Sequence, residues 1–324
     1  MKKSLIALAV LVASGAAMAQ SSVTLYGVID LGVGKLGSPK GAAQKEKFSM
    51  QSSGLVNNGV SRIGFRGVED LGGGLKAGFN YEQGINAENG AILDGGYNRQ
   101  SNVWIEGAFG QFRMGRSYAP SYNGMEAWEL LGAPNYSVVA NTFGFVGAGP
   151  RNSSQFSYKT PDLSGFSAEI GFVTKQDYSG IGGDRHKVDA NLKYVNGPLG
   201  AAFSYNKVSK EKANYALGAK YNFGTFALAA SYNDARNLVV SGNAVRRSGF
   251  SVGGIVTYDN MSLALDVTRD TKNQNATNSA IKYKKYTNAV VEAKYALSKR
   301  TFVYADYLRL DSLNNYGLGL RHNF

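Results

Sequence analysis

The chain has 324 residues, a formal charge of +12, 20 tyrosines and 16 phenylalanines against 6 prolines, and no cysteine. The aromatic and glycine content leans towards strand, and the lack of cysteine excludes disulfides, thiol catalysis and cysteine metal sites together. Beyond the first residues no stretch approaches the roughly 18 unbroken apolar residues of a membrane helix. The basic residues are dispersed and no nucleic-acid motif is present, so no nucleic-acid partner is expected.

The first segment, "MKKSLIALAVLVASGAAMAQ", carries Lys2 and Lys3, an apolar run from Leu5 to Val12 and the small residues Ala17-Met18-Ala19. That order predicts a secretory signal peptide over 1–19 and a mature domain over 20–324. Cleavage removes two lysines and no acid, leaving +10. An exported, alternating, aromatic chain without a membrane helix leaves a β-barrel as the membrane option.

From residue 22 onward one pattern repeats. "VTLYGVIDLGV" places Val23, Leu25, Ile29, Leu31 and Val33 on one face and Thr24, Tyr26 and Asp30 on the other. "LKAGFNYE" sets Leu75, Ala77, Phe79 and Tyr81 against Lys76, Asn80 and Glu82, and "FSAEIGFV" and "KVDANLKYV" alternate likewise. Later copies are "NYALGAKY", "FALAASY", "FSVGGIVTY" and "TNAVVEAKY", most ending in tyrosine, the residue suited to a membrane–water girdle. Apolar residues outside and polar residues inside reverse the soluble arrangement.

Seven short turns rich in Gly, Asn, Asp and Pro fall at 69–74, 107–110, 161–165, 196–198, 222–225, 259–260 and 296–299. Eight longer polar stretches lie near 35–60, 83–98, 117–154, 174–186, 206–213, 233–246, 269–283 and 309–315. These fifteen connections predict sixteen strands, with short turns on the periplasmic side and long loops outside. The last strand, "YGLGLRHNF", alternates up to Phe324, with Gly317, Gly319, Arg321 and Asn323 sharing one face. A strand that runs to the carboxylate is expected to pair with the first and close the wall, because an open edge in lipid leaves backbone groups unsatisfied.

At "SSVTLYGVIDLGVG", "SRIGFRGVEDLGGGLKAGF" and "GLGLRHNF" the chain resembles the Gram-negative general porins of the beta-proteobacterial type, over the whole mature length. The resemblance implies an all-β, 16-stranded antiparallel transmembrane barrel whose third long loop folds inward to narrow a water-filled pore. It also implies a homotrimer, contact with outer-membrane lipid and lipopolysaccharide, and use of Phe324 as the C-terminal signal read by the barrel-assembly machinery.

In that family arginines on the wall face acids on the inward loop. The motifs "SRIGF", "GRSY" and "PRNSSQF" map the arginines onto Arg62, Arg116 and Arg151. The loop acids map onto Glu126 and Glu129 of "MEAWEL", although the surrounding residues depart from the family pattern. Strand parity in "QFRMGRSY" places Arg116 outward unless a bulge intervenes. Arg66 and Lys76 have inward parity and are secondary lumen candidates; Asp30 and Glu82 are also inward and are expected to balance the wall. Rings of fixed charge set pore selectivity, and guanidinium stays charged at any relevant pH.

"EDLGGGL" has the look of a phosphate-cradling loop but lacks the following helix, so it is read as a turn. The two histidines, His186 and His322, offer neither a triad nor a metal site. No cofactor is expected. The leading functional expectation is therefore passive diffusion of small hydrophilic solutes and ions, mildly anion-preferring and without catalysis. The alternatives are a solute-specific channel, for which Tyr122, Trp128 and Tyr136 are the only aromatic hint, an adhesin or receptor barrel, and an outer-membrane enzyme, for which no clustered nucleophile and base is found.

Overall fold

The computed structural model describes residues 22–38, 48–147, 149–174, 185–240 and 243–324. The expected signal peptide at 1–19 lies outside them. The wall is built in chain order from β1 (Ser22–Lys35), β2 (Ser49–Ser52), β3 (Arg62–Gly72), β4 (Leu75–Gly84), β5 (Gln100–Gly107) and β6 (Gly110–Tyr118). Two short helices follow, α1 (Pro120–Met125) and α2 (Val138–Gly147), then β7 (Arg151–Lys159), β8 (Phe166–Val173), β9 (Lys187–Asn196), β10 (Leu199–Val208) and β11 (Asn214–Asn222). The last six are β12 (Phe226–Val240), β13 (Asn243–Tyr258), β14 (Met261–Asn275), β15 (Thr287–Ala296), β16 (Thr301–Leu310) and β17 (Leu313–Asn323).

These seventeen strands among the described residues form one antiparallel sheet that closes on itself where β1 meets β17, from Val28 opposite Asn323 to Lys35 opposite Tyr316. The count exceeds the expected sixteen because the short β2 pairs with the outer half of β1 while β3 pairs with its inner half. The two share one lane, so the wall has the sixteen expected lanes and one extra strand.

Burial inverts the soluble pattern. Leu217, Val252 and Leu318 on the outer face are 58%, 65% and 57% exposed, whereas inward Asp189, Ser204 and Asn206 are 0% exposed. Only a surrounding apolar phase makes that distribution favourable, since burying such side chains from water is the main source of folding free energy. Aromatic rings cluster at the turn end, with Phe166 on Tyr194 at 4.5 Å and Phe112 on Tyr158 at 4.7 Å. "EDLGGG" ends β3 and turns into β4 through Gly73 and Gly74, in agreement with the turn reading.

Three of the stretches read as long loops contain more ladder than expected. β12 and β13 stay paired up to Val240 opposite Asn243, past a register shift near Ala235. β14 runs on to Asn275, and β16 and β17 are joined by Asp311 and Ser312 alone, both at positive φ (50° and 73°). Period two marks a strand only while one face is dry; above the lipid both faces are wet, and the ladder continues without the signal.

The seam explains the terminal aromatic. The Gly27 N–H donates to the Phe324 carbonyl at 3.1 Å, and the Phe324 N–H donates to the Gly27 carbonyl at 3.0 Å. A Cβ on Gly27 would stand 2.3 Å from the Phe324 ring, so the ring packs flat against bare backbone. Gly27→Leu is therefore expected to lower the midpoint of heat-induced barrel opening, followed by electrophoretic mobility, through an overpacking cost of about 1–3 kcal/mol. An unchanged midpoint would remove the ring from the seam's stability.

The segment between β6 and β7 lies inside the barrel. Among the described residues it carries most of the dry core: Met125, Trp128, Tyr136, Val138 and Phe143 are each 0 or 1% exposed. α1 packs on β9 and β10, and α2 packs on β12. Trp128 rests on Gly218 of β11, where a Cβ would meet the indole at 2.3 Å; glycine is what lets the loop sit that close to the wall. Polar ties complete the attachment. Tyr136 donates to Glu292 at 2.6 Å and accepts from Asn58 at 2.7 Å, and Thr142 shares a 2.9 Å hydrogen bond with Thr268.

Candidate functional site

Between this inward segment and the wall lies a cavity of about 500 Å³. Four arginines line it: Arg62 on β3, Arg99 one residue before β5, Arg151 at the start of β7 and Arg321 on β17. They are far apart in sequence and meet because β17 closes on β1, beside β3, while β7 returns from the inward segment.

Their partners leave an excess of positive charge. Glu82 serves two of them, accepting from Arg99 Nε at 2.6 Å and lying 3.5 Å from Arg62 Nε; it also accepts from the Tyr26 hydroxyl at 3.1 Å. Arg321 donates to Asn58 at 2.9 Å and Asn323 at 3.1 Å, both neutral. The Arg151 guanidinium lies 4.3 Å over the Tyr118 ring, and its buried Nε has no protein acceptor. Lys294, also on the lining, is held at 3.0 Å by the buried Glu292.

Glu126, which follows α1, also lines the cavity. It keeps solvent access, yet partial desolvation by the surrounding loop and wall raises its carboxyl above the usual carboxylate range, and the Lys193 ammonium and Tyr122 hydroxyl oppose that shift. Glu129 is not on the cavity. It is 1% exposed and turned into the loop, where it accepts from the Leu131 and Ala133 N–H groups at 2.9 and 2.6 Å and from the Ser137 hydroxyl at 2.6 Å. The expected acid pair thus divides into one lining group and one internal anchor.

Arg116 also departs from the expected cluster. A register shift does lie beside it, with Gly115 opposite Gln155 and Ser117 opposite Asn152, but the extra residue is on β7. Arg116 is not among the cavity-lining residues; it donates from Nε to the Asn98 carbonyl and from Nη1 to Ser153 at 2.6 Å. Arg66 lies 5.4 Å over the Tyr26 ring, away from the cavity lining, and Lys76 is exposed near the turn end. Asp30 is fully buried as a structural acceptor for Tyr304 at 2.6 Å, the Gly59 N–H at 2.9 Å and Asn57 at 3.2 Å.

Two lining arginines, Arg99 and Arg321, fall outside the set expected from the sequence. Arg321 is legible there, since the alternation of β17 puts it on the inward face with Gly317 and Gly319. Arg99 is not, because it sits at the end of a loop where no period runs. Of the three aromatics considered in the loop, Trp128 and Tyr136 are core, whereas Tyr122 reaches the lining together with Tyr118 and Phe145.

Comparison with known proteins agrees with this architecture. A family model described as Gram-negative porin matches residues 5–315. The chain is 33% identical to outer membrane porin protein 32 of Delftia acidovorans, over 99% of this chain and 93% of that one. It is 32% identical to an outer membrane porin protein of Bordetella pertussis, over 72% and 69% of the two chains. The structure matches an anion-selective porin from Comamonas acidovorans with a TM-score of 0.76 at 25% identity, covering 94% of this chain and all of that one.

Proposed function

The chain belongs to the Gram-negative porin family, a channel of the bacterial outer membrane, and from that footing we propose how its pore discriminates among solutes. Small hydrophilic solutes diffuse passively through the barrel, and the cavity between the inward loop and the wall is the constriction they must cross. Arg62, Arg99, Arg151 and Arg321 form its basic side and Glu126 its acidic side. The observation that carries this reading is the imbalance among the four guanidiniums: Arg62 and Arg99 share one carboxylate, Glu82, while Arg321 donates to neutral amides and Arg151 lies over a tyrosine ring. Fixed charge in a narrow low-dielectric passage raises the local concentration of counter-ions, so the pore prefers anions. The anion selectivity of the Comamonas porin supports the same direction.

The working chain is residues 20–324 after removal of 1–19, assembled as a homotrimer in contact with outer-membrane lipid and lipopolysaccharide. Phe324 serves the barrel-assembly machinery as well as the seam. The relatives are channels, and we read this chain as having no catalytic activity.

The reading is tested by reversal potentials of the folded mature protein in a planar bilayer under a salt gradient. Current that reverses on the anion side supports it, and reversal on the cation side overturns it.

A pH dependence follows from Glu126. Its carboxyl takes up a proton at a pH above the ordinary carboxylate value, because partial desolvation between loop and wall disfavours the charged form even though the residue keeps solvent access. Protonation removes one negative charge from the constriction, so anion preference is expected to rise as pH falls, beginning above the ordinary glutamate range. In Glu126→Gln the preference starts higher and this step is missing. A step of the same size in the variant would assign it to another group.

A further inference from the structure

The next inference rests on the constriction proposed above and concerns which anions it favours. Three rings run in series along it, Tyr118 at the end of β6 and Tyr122 and Phe145 on the inward segment. Tyr118 and Tyr122 stack with centroids 5.0 Å apart and planes 11° apart, and Phe145 follows at 5.4 Å from Tyr122. The Arg151 guanidinium caps the row, 4.3 Å over Tyr118. All of these groups line the cavity, and the three rings pack on the loop's dry core, of which Tyr122 is itself part, whereas Trp128, Tyr136 and Phe143 lie wholly within that core.

The row is held there at a cost. Phe145 and Val146 adopt left-handed φ of 52° and 61°, a region that side-chain-bearing residues seldom occupy, and this turn at the end of α2 brings the Phe145 ring to the lining. A small inorganic anion gains nothing from such rings, because an aromatic face carries negative quadrupole density. A planar solute whose own ring can lie against them does gain, provided its charge falls on the guanidiniums. Donors for that charge are in place: Arg151 Nε and Arg62 Nε are buried without a hydrogen-bond acceptor in the protein, and an arginine fork matches a carboxylate in two-point geometry.

We propose that the constriction is a binding subsite for planar aromatic carboxylates, with the carboxylate on Arg62 and Arg151 and the ring against Tyr118, Tyr122 and Phe145. The pore is then a general channel with a built preference, slowing and concentrating aromatic acids relative to saturated acids of the same charge and similar size.

The test compares benzoate with cyclohexanecarboxylate, each titrated against the chloride current of the mature protein in a planar bilayer. Benzoate is expected to half-block at a concentration about fivefold lower, the scale of one favourable ring contact. In Tyr118→Leu/Tyr122→Leu, and separately in Phe145→Leu, the gap shrinks towards unity, each variant's own chloride current serving as reference. Equal half-blocking concentrations in the unaltered protein would overturn the proposal, and so would a gap that persists in both variants. The reversal potential of the unaltered protein, read in the same bilayer, separates the two claims. Cation-side reversal removes the arginine constriction itself, whereas anion-side reversal without benzoate preference removes only the aromatic subsite.

Discussion

Replacing Arg62, Arg99, Arg151 and Arg321 together with glutamine is expected to reverse the ion preference of the channel. Five cations act on the constriction, these four and Lys294, against the carboxylates of Glu82, Glu126 and Glu292. The variant retains Lys294 alone against three carboxylates, so the sign of the local charge inverts. Such a change is felt strongly because solutes pass within a few ångströms of groups that low-dielectric walls shield poorly from one another. The measurement is the reversal potential in a salt gradient, which should move from the anion side to the cation side. Arg151→Gln alone should move it part of the way without releasing any carboxylate from a hydrogen bond. If the quadruple variant folds as a barrel and the sign stays the same, selectivity is set elsewhere in the lumen.

The second large effect is expected at Glu129, the acid that does not face the pore. Its carboxylate is the shared acceptor for two backbone N–H groups and one hydroxyl inside the inward loop. Glu129→Ala leaves those three donors buried without that acceptor, at about 1–3 kcal/mol for each one that finds no other partner. The barrel ladders do not depend on this carboxylate, so the loss falls on the loop: the wall stays closed while the constriction loosens. Single-channel conductance should increase and larger neutral sugars should pass in liposome swelling, with little change in the temperature of barrel opening. Glu126→Gln should do the converse, shifting ion preference at nearly constant conductance. Equal conductance in Glu129→Ala and the parent would show that the loop's shape does not need its anchor.

The division between these two glutamates shows where sequence reasoning stops. Alternation revealed the barrel, the turn side and the closing strand because each strand has a lipid-facing side, and burial in an apolar phase writes period two into the chain. The same alternation put Arg116 outward, whereas Arg62 entered the expected cluster through the family motif and Arg321 was not among the expected residues. Family resemblance nonetheless drew Arg116 into the cluster, and in the structure it is not among the residues that line the cavity. The signal fails wherever both faces meet water or neither face is repeated. The hairpin extensions beyond Ala235 and towards Asn275 were hidden for the first reason. Arg99, Glu126 and Glu129 were hidden for the second, since a loop folded on itself buries residues according to which wall strand it meets.

The sequence by itself determined that the chain is exported, that it forms a closed barrel with polar inside and apolar outside, and that its last strand seals the wall at Phe324. The tertiary structure decided which charges share the constriction, because closure brings β17 beside β1 and β3 while β7 contributes Arg151 and the inward loop contributes Glu126, Tyr122 and Phe145. Local periodicity is set by the solvent each strand faces, whereas the chemistry of the pore is set by contacts between different strands and the inward loop, from Arg99 on Glu82 to Arg321 on Asn58, which no local pattern records.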